Sequence, residues 1–400
     1  MEPIDVPAHV PAELVWDHDI NTYAAELDDP YLGVARLCQG PELLWARKAT
    51  RFGAAWLPTR FALVQEIFMD TEHFSNSGAF DASDLLGVDW RLNPLEIDPP
   101  EHMRYRQLLQ PWFTPKAINK LEDSIRTIAR TLIARFEAKG ECEFIDDFLK
   151  FFPSMVFLGM MGLPLDKLDQ FLDWEETHMR GRDIPTRVAA IRAIVAYLEE
   201  YVEARRSDPR DDLVTAILTA EIDGRPLTHG EVMGMALVLY LGGLDTVLSS
   251  VGWYMRYLTQ DQSLQARLRA NPDDIPAAVE DFLRAYGVTG TGRIVKEDFE
   301  FHGVLMKKGD RVACPTYLAG RDPREYANPD VVDPDRRARH LTLATGVHNC
   351  LGAHLARREI KVVLEEWLSR FSNIRVPDGQ RAEWRTEGVW NVSRLPLVWN

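Results

Sequence analysis

The fold is decided by the stretch Leu343-Ala344-Thr345-Gly346-Val347-His348-Asn349-Cys350-Leu351-Gly352, which is followed directly by a helical pattern. Gly346 and Gly352 let the backbone turn and approach a flat ligand without a Cβ clash. Cys350 stands just before the predicted helix, where backbone N–H groups favour an ionised thiolate. A lone cysteine before a helix is most often a small buried apolar residue. The glycines and the neighbouring His348 instead favour a single thiolate ligand to a haem iron.

The composition is that of an ordinary globular chain. Its 400 residues are 46% hydrophobic and 27% charged, so it can bury a large core. A net charge of −15 argues against binding to nucleic acid or to an anionic membrane surface. Four scattered cysteines with no Cys-x-x-Cys pattern argue against a zinc site or a disulfide framework. With no signal-peptide pattern at the N-terminus, we expect a cytoplasmic protein.

The longest apolar run, from Gly234 to Met255, is long enough to cross a bilayer. Asp245 lies in its middle, and a charge there is costly in lipid, so we predict a buried helix of a soluble protein. Gly242 and Gly243 each cost about 1 kcal/mol relative to alanine in a helix interior. They therefore indicate either close approach to a ligand and a proton relay through Asp245 and Thr246, or a packing pair of glycines beside a helix-bending threonine.

These motifs together resemble the cytochrome P450 family. The Cys350 stretch matches four of the five fixed positions of the Phe-x-x-Gly-x-His-x-Cys-x-Gly haem-thiolate loop, with Leu343 at the aromatic position. Residues 242–246 resemble the oxygen-binding groove of the long central helix. The resemblance covers nearly the whole chain and includes the soluble bacterial class typified by camphor 5-monooxygenase. It implies a mainly α fold with a small antiparallel β part, in which residues 1–400 form one P450 domain. The domain implied by the resemblance is a triangular prism with haem expected between the central helix and the Cys-loop helix.

The resemblance assigns cofactor roles residue by residue. Cys350 becomes the axial thiolate of haem b, and Asp245 and Thr246 become the catalytic acid–alcohol pair. The glycines expected to border the cofactor are Gly242, Gly243, Gly346 and Gly352. The side chains expected at the haem propionates are His102, Arg106, Arg293 and His348, although each of these taken singly is more often a solvated side chain.

The resemblance also implies a structural triad. Arg284 matches the arginine of the family's Glu-x-x-Arg pair, but Asp281 stands where the family has the glutamate. The shorter carboxylate must therefore come closer to the arginine or recruit Glu280. Arg336 matches the third partner, and Val332 replaces an aromatic residue near it. We expect the departures at Leu343, Asp281 and Val332 to alter the haem surroundings rather than the fold.

By the same resemblance, several mostly apolar residues are expected to line the substrate pocket: Trp90, Leu92, Leu95, Val238, Leu241, Val288, Thr289, Thr291 and Val389. Trp90 appears where camphor 5-monooxygenase has a tyrosine that donates to the substrate ketone, and the alternative is that Trp90 is plain core. An indole N–H only donates and is bulkier. We therefore expect a small apolar substrate other than camphor, such as a terpenoid or norisoprenoid.

The implied activity is hydroxylation of a C–H bond with O2 by a bacterial monooxygenase. The chain has no flavin or iron–sulfur motif, so electrons are expected from a [2Fe-2S] ferredoxin and its reductase. Two alternatives remain open at this stage. One is a peroxide-driven peroxygenase, although that branch typically replaces the acid–alcohol pair. The other is a non-catalytic haem protein that binds or senses a small ligand.

Overall fold

The computed structural model of the chain describes residues 6–50, 53–80 and 82–400; the N-terminal residues 1–5, on which the signal-peptide prediction depends, lie outside this part. The α-helices are α1 Ile20–Ala25, α2 Pro30–Ala35, α3 Phe61–Met69, α4 Ala82–Leu86, α5 Glu101–Leu109, α6 Pro115–Asn119, α7 Glu122–Ile133, α8 Phe152–Met161, α9 Leu168–Arg180, α10 Ile184–Ser207, α11 Leu213–Leu218, α12 His229–Gln260, α13 Gln262–Ala270, α14 Ile275–Ala285, α15 Thr316–Ala319 and α16 Ala353–Arg370. The strands are β1 Val15–Asp19, β2 Leu43–Thr50, β3 Gly53–Pro58, β4 Phe74–Ser75, β5 Glu141–Glu143, β6 Glu221–Ile222, β7 Arg225–Pro226, β8 Gly290–Val295, β9 Phe299–Phe301, β10 Val304–Met306, β11 Arg311–Pro315, β12 Glu383–Arg385, β13 Asn391–Arg394 and β14 Pro396–Val398.

The chain divides into two compact units. The first unit comprises Met1–Phe80, Glu280–Cys350 and Arg385–Trp390. The second unit comprises Asp81–Val279, Leu351–Trp384 and Asn391–Asn400. Both units are therefore assembled from segments distant in sequence, and the fold is mainly helical with a small sheet.

The first unit is built on a six-stranded sheet with the order β1-β2-β3-β11-β8-β4. The pairs β2–β3, β11–β8 and β4–β8 are antiparallel, whereas β1–β2 and β11–β3 are parallel. The sheet is thus mixed where the sequence predicted an antiparallel one. Parallel neighbours need long crossover connections, and more than half of the chain separates β3 from β11. Strands β8 to β11 follow one another between residues 290 and 315, with a turn at Gly309 whose φ is 90°.

Helix α3 covers one side of the core of the first unit. Its buried residues Phe61, Val64, Ile67 and Phe68 recur at helical spacing, which produces a single apolar face. They belong to a cluster that includes Trp56 and other large side chains of the sheet. The C-terminal end of α3 therefore has a fixed position, and it is this end that contacts the Cys350 loop.

The second unit is organised around α12, which begins after Thr228. The Thr228 side chain accepts from the amide of Glu231, and the Glu231 side chain accepts from the amide of Thr228, which completes a capping box. By length and composition α12 would qualify as a membrane span, but 67% of its most apolar window is buried inside the protein. Helix α12 is therefore a core helix, as the sequence predicted.

An aromatic cluster in the second unit surrounds Trp367 of α16. The indole of Trp367 on α16 contacts the rings of Phe136, Phe144, Phe148 and Phe371. Helix α16 also packs on α7, and α12 packs on α8 and α10. These contacts hold α16, which begins three residues after Cys350 in the chain, along its whole length.

Candidate active site

The loop that carries Cys350 is closed by its own backbone. The amide of Cys350 donates to the carbonyl oxygen of Leu343 at 2.8 Å. Ala344 and Gly346 both have positive φ, of 55° and 72°. A Cβ on Gly346 would lie 2.8 Å from the carbonyl oxygen of Phe68, so a larger residue there would be strained and crowded. The backbone of the loop is therefore tightly turned, and the Cys350 side chain that it carries is half-buried.

The other three cysteines are poor thiolate candidates. Burial raises the pKa of the Cys38 thiol to about 12, with a further contribution from Asp322. Burial also raises the pKa of Cys314 to about 11 and that of Cys142 well above its usual value. These thiols stay protonated at neutral pH. Among the described residues no group of three or more His, Cys, Asp or Glu side chains could hold a metal ion.

Helix α12 has an accessible face at its centre, although most of its residues are buried. Gly242 is exposed, and Val238, Leu241 and Thr246 are partly exposed. These positions are three or four residues apart and lie on one side of the helix. A Cβ on Gly242 would have nothing within 4 Å, so open space lies over this face. The helix runs through Gly242 and Gly243 without interruption.

The carboxylate of Asp245 is buried and held by one arginine. Nη2 of Arg180, at the end of α9, donates to both carboxylate oxygens at 2.7 and 2.8 Å. The side chains of Arg180 and Asp245 are only 5% and 4% exposed. Burial raises the pKa of Asp245, and the charge of Arg180 opposes that rise. Burial alone would lower the pKa of Arg180, but Asp245 and Glu176 outweigh it and raise that pKa.

Thr246 follows Asp245 on the accessible face. Its hydroxyl donates to the carbonyl oxygen of Gly242 at 3.2 Å, one turn earlier in α12. The carbonyl oxygen of Thr246 in turn accepts from the Ser250 hydroxyl at 2.8 Å. Back-bonding of this kind keeps the hydroxyl on its own helix until a better partner arrives. Thr246 is therefore positioned to exchange the Gly242 carbonyl for a ligand or a water.

Each unit contains one buried basic side chain that the sequence predicted to contact a haem propionate. In the second unit, burial and the charge of Arg106 lower the pKa of His102 to about 4, so this imidazole is neutral at pH 7. In the first unit, Arg293 is buried on β8, donates to the carbonyl oxygen of Gly292 at 2.8 Å and lies 5.0 Å above the ring of Phe68. A neutral imidazole and a buried guanidinium are both good hydrogen-bond donors to carboxylates.

The chain is similar over almost its whole length to known proteins. The family model described as Cytochrome P450 matches residues 177–389. The probable cytochrome P450 127A1 of Sinorhizobium fredii is 35% identical over 402 residues, covering 98% of this chain and 97% of that protein. This chain belongs to the cytochrome P450 family. Nocardicin C N-oxygenase of Nocardia uniformis is 33% identical, covering 86% of this chain and 89% of its own.

Solved P450 structures show the same fold. The crystal structure of CYP101J2 superposes with a TM-score of 0.88 at 31% identity and covers 99% of both chains. That of CYP101C1 superposes with a TM-score of 0.87 at 31% identity, covering 99% of this chain and 100% of its own. The P450 fold and membership of a monooxygenase family, both expected from the sequence, are thereby confirmed.

Haem b, the cofactor of the P450 family, fits the residues that this chain provides. The cofactor needs one thiolate, close backbone contact and donors for two carboxylates. Cys350 is the half-buried thiol, and the positive φ of Gly346 permits the close turn beside it. His102 and Arg293 are buried donors, and the open space over Gly242 leaves α12 accessible. The donor set is therefore that of a haem-thiolate protein.

The predicted structural triad of this P450 is joined by ion pairs within the first unit. Asp281 accepts from Arg284 Nε at 2.6 Å and Nη2 at 3.1 Å, and Arg336 Nε lies 3.1 Å from Asp281 Oδ1. Arg284 also donates to the carbonyl oxygens of Gly320, Pro329 and Val331. Glu280 instead approaches His340, at 3.2 Å. The shorter Asp281 thus reaches both arginines directly.

The predicted substrate residues fall in both units. Trp90, Leu95, Val238 and Leu241 in the second unit are partly exposed, and Leu92 is buried. In the first unit, Val288 is buried and Thr289, Thr291 and Val389 are partly exposed. The hydroxyl of Thr291 is buried with no hydrogen-bond partner in the part of the chain that the structure describes. A polar group left in this way is able to bind one polar atom of a ligand.

Two buried charged residues were missed by sequence reasoning, and one of them, Arg180, contacts the candidate site. Arg180 precedes Asp245 by 65 residues and stands in the last turn of α9, where a basic residue is common for its interaction with the helix dipole. Glu359 on α16 is 1% exposed, and its Oε1 has no hydrogen-bond partner among the described residues. Neither residue carries a local pattern that separates it from an ordinary charged position on a helix.

Proposed function

We propose that this P450 hydroxylates a C–H bond of a small apolar molecule, a terpenoid or norisoprenoid, as a single domain of residues 1–400 in the bacterial cytoplasm. One atom of O2 enters the product R–OH, and two electrons and two protons reduce the other atom to water. The observation that carries the proposal is the accessible apolar face of α12, which includes Val238 and Leu241 and ends at Thr246, next to the buried Asp245.

The roles of the cofactor contacts follow from their chemistry. Cys350 binds the iron as a thiolate, while His102, Arg106, Arg293 and His348 hold the propionates by hydrogen bonds and charge. Bound haem supplies the oxygen-activating chemistry, and the protein supplies orientation, protons and exclusion of water. The tight Cys350 loop supports this assignment because a fixed thiolate needs a fixed backbone.

Asp245 and Thr246 deliver the protons. While Arg180 donates to both oxygens of Asp245, its charge opposes the rise that burial causes in the pKa of that carboxyl. When Arg180 moves away, burial dominates, the pKa of Asp245 rises and the carboxyl binds a proton from solvent. Thr246 then passes that proton inward after its hydroxyl leaves the Gly242 carbonyl. Release of Arg180 is thus the step that switches the relay on.

The substrate class is proposed from the resemblance and from the character of the predicted substrate residues, taken unit by unit. In the second unit, Val238 and Leu241 offer apolar contacts on α12. In the first unit, Val288 and Val389 are apolar, and the buried hydroxyl of Thr291 can donate to a single ketone or ether oxygen. The similarity to CYP101J2 and CYP101C1 is consistent with this class. A compact terpenoid with one oxygen atom suits residues of this kind.

Electrons come from a [2Fe-2S] ferredoxin, itself reduced by a ferredoxin reductase. The sequence has no flavin or iron–sulfur motif of its own. The basic residues Arg104 and Arg358 of the second unit, candidates for contact with an acidic ferredoxin, pair with Asp223 and Glu122 of the same unit. Docking therefore depends on cationic charge that internal pairs partly neutralise.

The test is reconstituted turnover. The haem-bound protein is mixed with NADH, ferredoxin reductase, a [2Fe-2S] ferredoxin and a panel of terpenoids and norisoprenoids, and hydroxylated product is measured by mass spectrometry. Product in proportion to the NADH consumed supports the proposal. Equal or better yield with hydrogen peroxide alone would indicate a peroxygenase, and haem spectra that respond to ligands without any product would indicate a sensor.

A matched pair of variants tests the thiolate. Cys350→Ser should abolish the far-red-shifted Soret band of the reduced carbon monoxide complex, because the hydroxyl is a poor thiolate substitute. Cys314→Ser, at a buried cysteine of the same unit, should retain it. A band that survives in Cys350→Ser would rule out the assigned ligand.

A further inference from the structure

On α12, a row of positions nearer the N-terminus of the helix leads to the accessible face. Gly230, Gly234 and Val238 are four residues apart and therefore lie on one side of the helix. The segment 90–93 runs across the first two. Trp90 packs at Gly230, and the carbonyl group of Arg91 packs at Gly234. The row becomes accessible at Val238, one turn further along.

The contacts at the two glycines leave no room for a side chain. A Cβ on Gly234 would lie 1.9 Å from the Arg91 carbonyl oxygen and 3.4 Å from the Asn93 nitrogen. Both are backbone atoms, so no change of side-chain rotamer relieves the overlap. A Cβ on Gly230 would lie 2.8 Å from Trp90 Cβ. Gly242, on the open face of the same helix, has nothing within 4 Å of such a Cβ.

The segment that rests on the glycines is held in one shape. The carboxylate of Glu96 accepts from the Leu92 amide at 2.9 Å, and the Glu96 amide donates to the Leu92 carbonyl oxygen at 2.9 Å. Leu92, Asn93 and Glu96 are all buried. A segment tied in this way moves as a body, so a displacement at Gly234 is transmitted to Trp90 and Leu95.

We propose that Gly230 and Gly234 are positioning residues that set how close segment 90–97 lies to α12, and that this distance limits the size of the apolar group accepted beside Val238 and Leu241. The inference rests on the proposed function, since it assumes that this face of α12 receives the substrate. Neither glycine contacts the substrate. They act by allowing the backbone of Arg91 to touch the helix.

The structural half of the proposal is tested by amide hydrogen exchange on the haem-bound full chain. Gly234→Ala should speed exchange in residues 88–97 by about tenfold, because the methyl group displaces the segment. Gly230→Ala, whose closest contacts are side-chain atoms, should give a smaller increase and serves as the second variant if Gly234→Ala folds poorly. Gly159→Ala on α8, where a Cβ meets nothing within 4 Å, is the control. Exchange in residues 88–97 that is the same in all three variants would overturn the proposal.

The specificity half is tested with two haem-binding probes of different size. Imidazole reports access to the iron, and 4-phenylimidazole adds an apolar group that must fit beside α12. Gly234→Ala should change the Kd for 4-phenylimidazole at least about fivefold and leave the Kd for imidazole unchanged. An unchanged 4-phenylimidazole Kd, or equal changes for both probes, would overturn the role in specificity. If the wild-type protein showed no spectral response to imidazole, the proposed function would fail, while the exchange experiment would still decide whether the glycines position the segment.

Discussion

At the scale of single residues, Asp245 is a buried carboxylate whose pKa depends strongly on the charge of Arg180. Removing the charge of Arg180 while keeping hydrogen-bonding capacity, as in Arg180→Gln, should raise the pKa of Asp245, because the largest effect that opposes burial is then lost. The alkaline limb of product formation per NADH, measured against pH, should move to higher pH. The variant should also lose about 3–5 kcal/mol of stability, the usual cost of breaking a buried pair.

Arg182→Gln is the control for that prediction. Arg182 is 86% exposed and pairs with the neighbouring Asp183, so neither pH profile nor stability should change measurably. A profile that stays in place in Arg180→Gln, despite a loss of stability, would reduce Arg180 to a structural role.

Glu359 offers a second test at the residue scale, through the pH dependence of stability. Burial raises the pKa of this carboxyl well above its ordinary value. The folded state therefore binds the proton more tightly, so stability is full below the unfolded pKa and falls as pH rises towards the folded pKa. Glu359→Gln removes this dependence. The variant should match the wild type near pH 4 and become progressively more stable above it, by about 1.4 kcal/mol for each unit of the pKa shift.

Thermal unfolding of the haem-bound protein between pH 4 and pH 8 measures this difference. Glu365→Gln is the matched control, because Glu365 lies on the same helix but pairs with Arg126 and Lys361. It should be no more stable than the wild type at any pH. Parallel curves for Glu359→Gln and the wild type would show that Glu359 is charged in the folded protein.

At the scale of elements, Asp281 ties α14 to the polar segment that follows α15. It pairs with Arg284 and Arg336, and it accepts from the backbone amide of Asp333 at 2.6 Å. Asp281→Asn should cost about 3–5 kcal/mol, because Arg284 would remain buried without its counter-charge. Glu280→Gln changes the adjacent carboxylate, which approaches His340, and should cost at most about 1 kcal/mol. Denaturant unfolding distinguishes the two, and equal losses would mean that Asp281 is not the principal partner of Arg284.

The elements also show where sequence patterns succeed and where they stop. Thr228 and Glu231 are three residues apart, so the start of α12 is encoded by a local pattern. The tight turn at Gly346 was likewise indicated by a glycine in a known motif. The parallel pairing of β3 with β11 is different, because it depends on which strands meet after a crossover of more than half the chain. No local pattern encodes that choice.

At the scale of the whole molecule, charge governs the encounter with the electron donor. The net charge is −15, so an acidic ferredoxin is repelled at long range and attracted only by local basic residues. Raising ionic strength from 0.01 to 0.1 M shortens the Debye length from about 30 to about 10 Å. We expect the KM for ferredoxin to rise over this range with kcat unchanged, since salt weakens docking but not later steps. A KM that falls with salt would show that net repulsion dominates.

Contacts between residues distant in sequence also limit how much of the candidate site could be predicted. Family motifs predicted Cys350, Asp245 and Thr246 as site residues without any structure, because each motif is contiguous in sequence. Arg180 was invisible, since its pairing with Asp245 depends on how α9 packs in the second unit. Trp90 was placed near substrate by analogy alone, whereas its contact with Gly230 depends on two segments that are 140 residues apart.

The contact between Arg91 and Gly234 has a consequence for protein engineering. A mutant library that varies only residues 88–97 leaves the surface of α12 unchanged, and that surface accommodates one backbone conformation of the loop. Many loop sequences will therefore fail because of their backbone conformation and not because of their side chains. Grafting the corresponding segment from a relative would meet the same barrier if that relative carried alanine at the position of Gly234. Varying positions 230 and 234 together with the loop would permit loop backbone conformations that mutagenesis of the loop alone cannot produce.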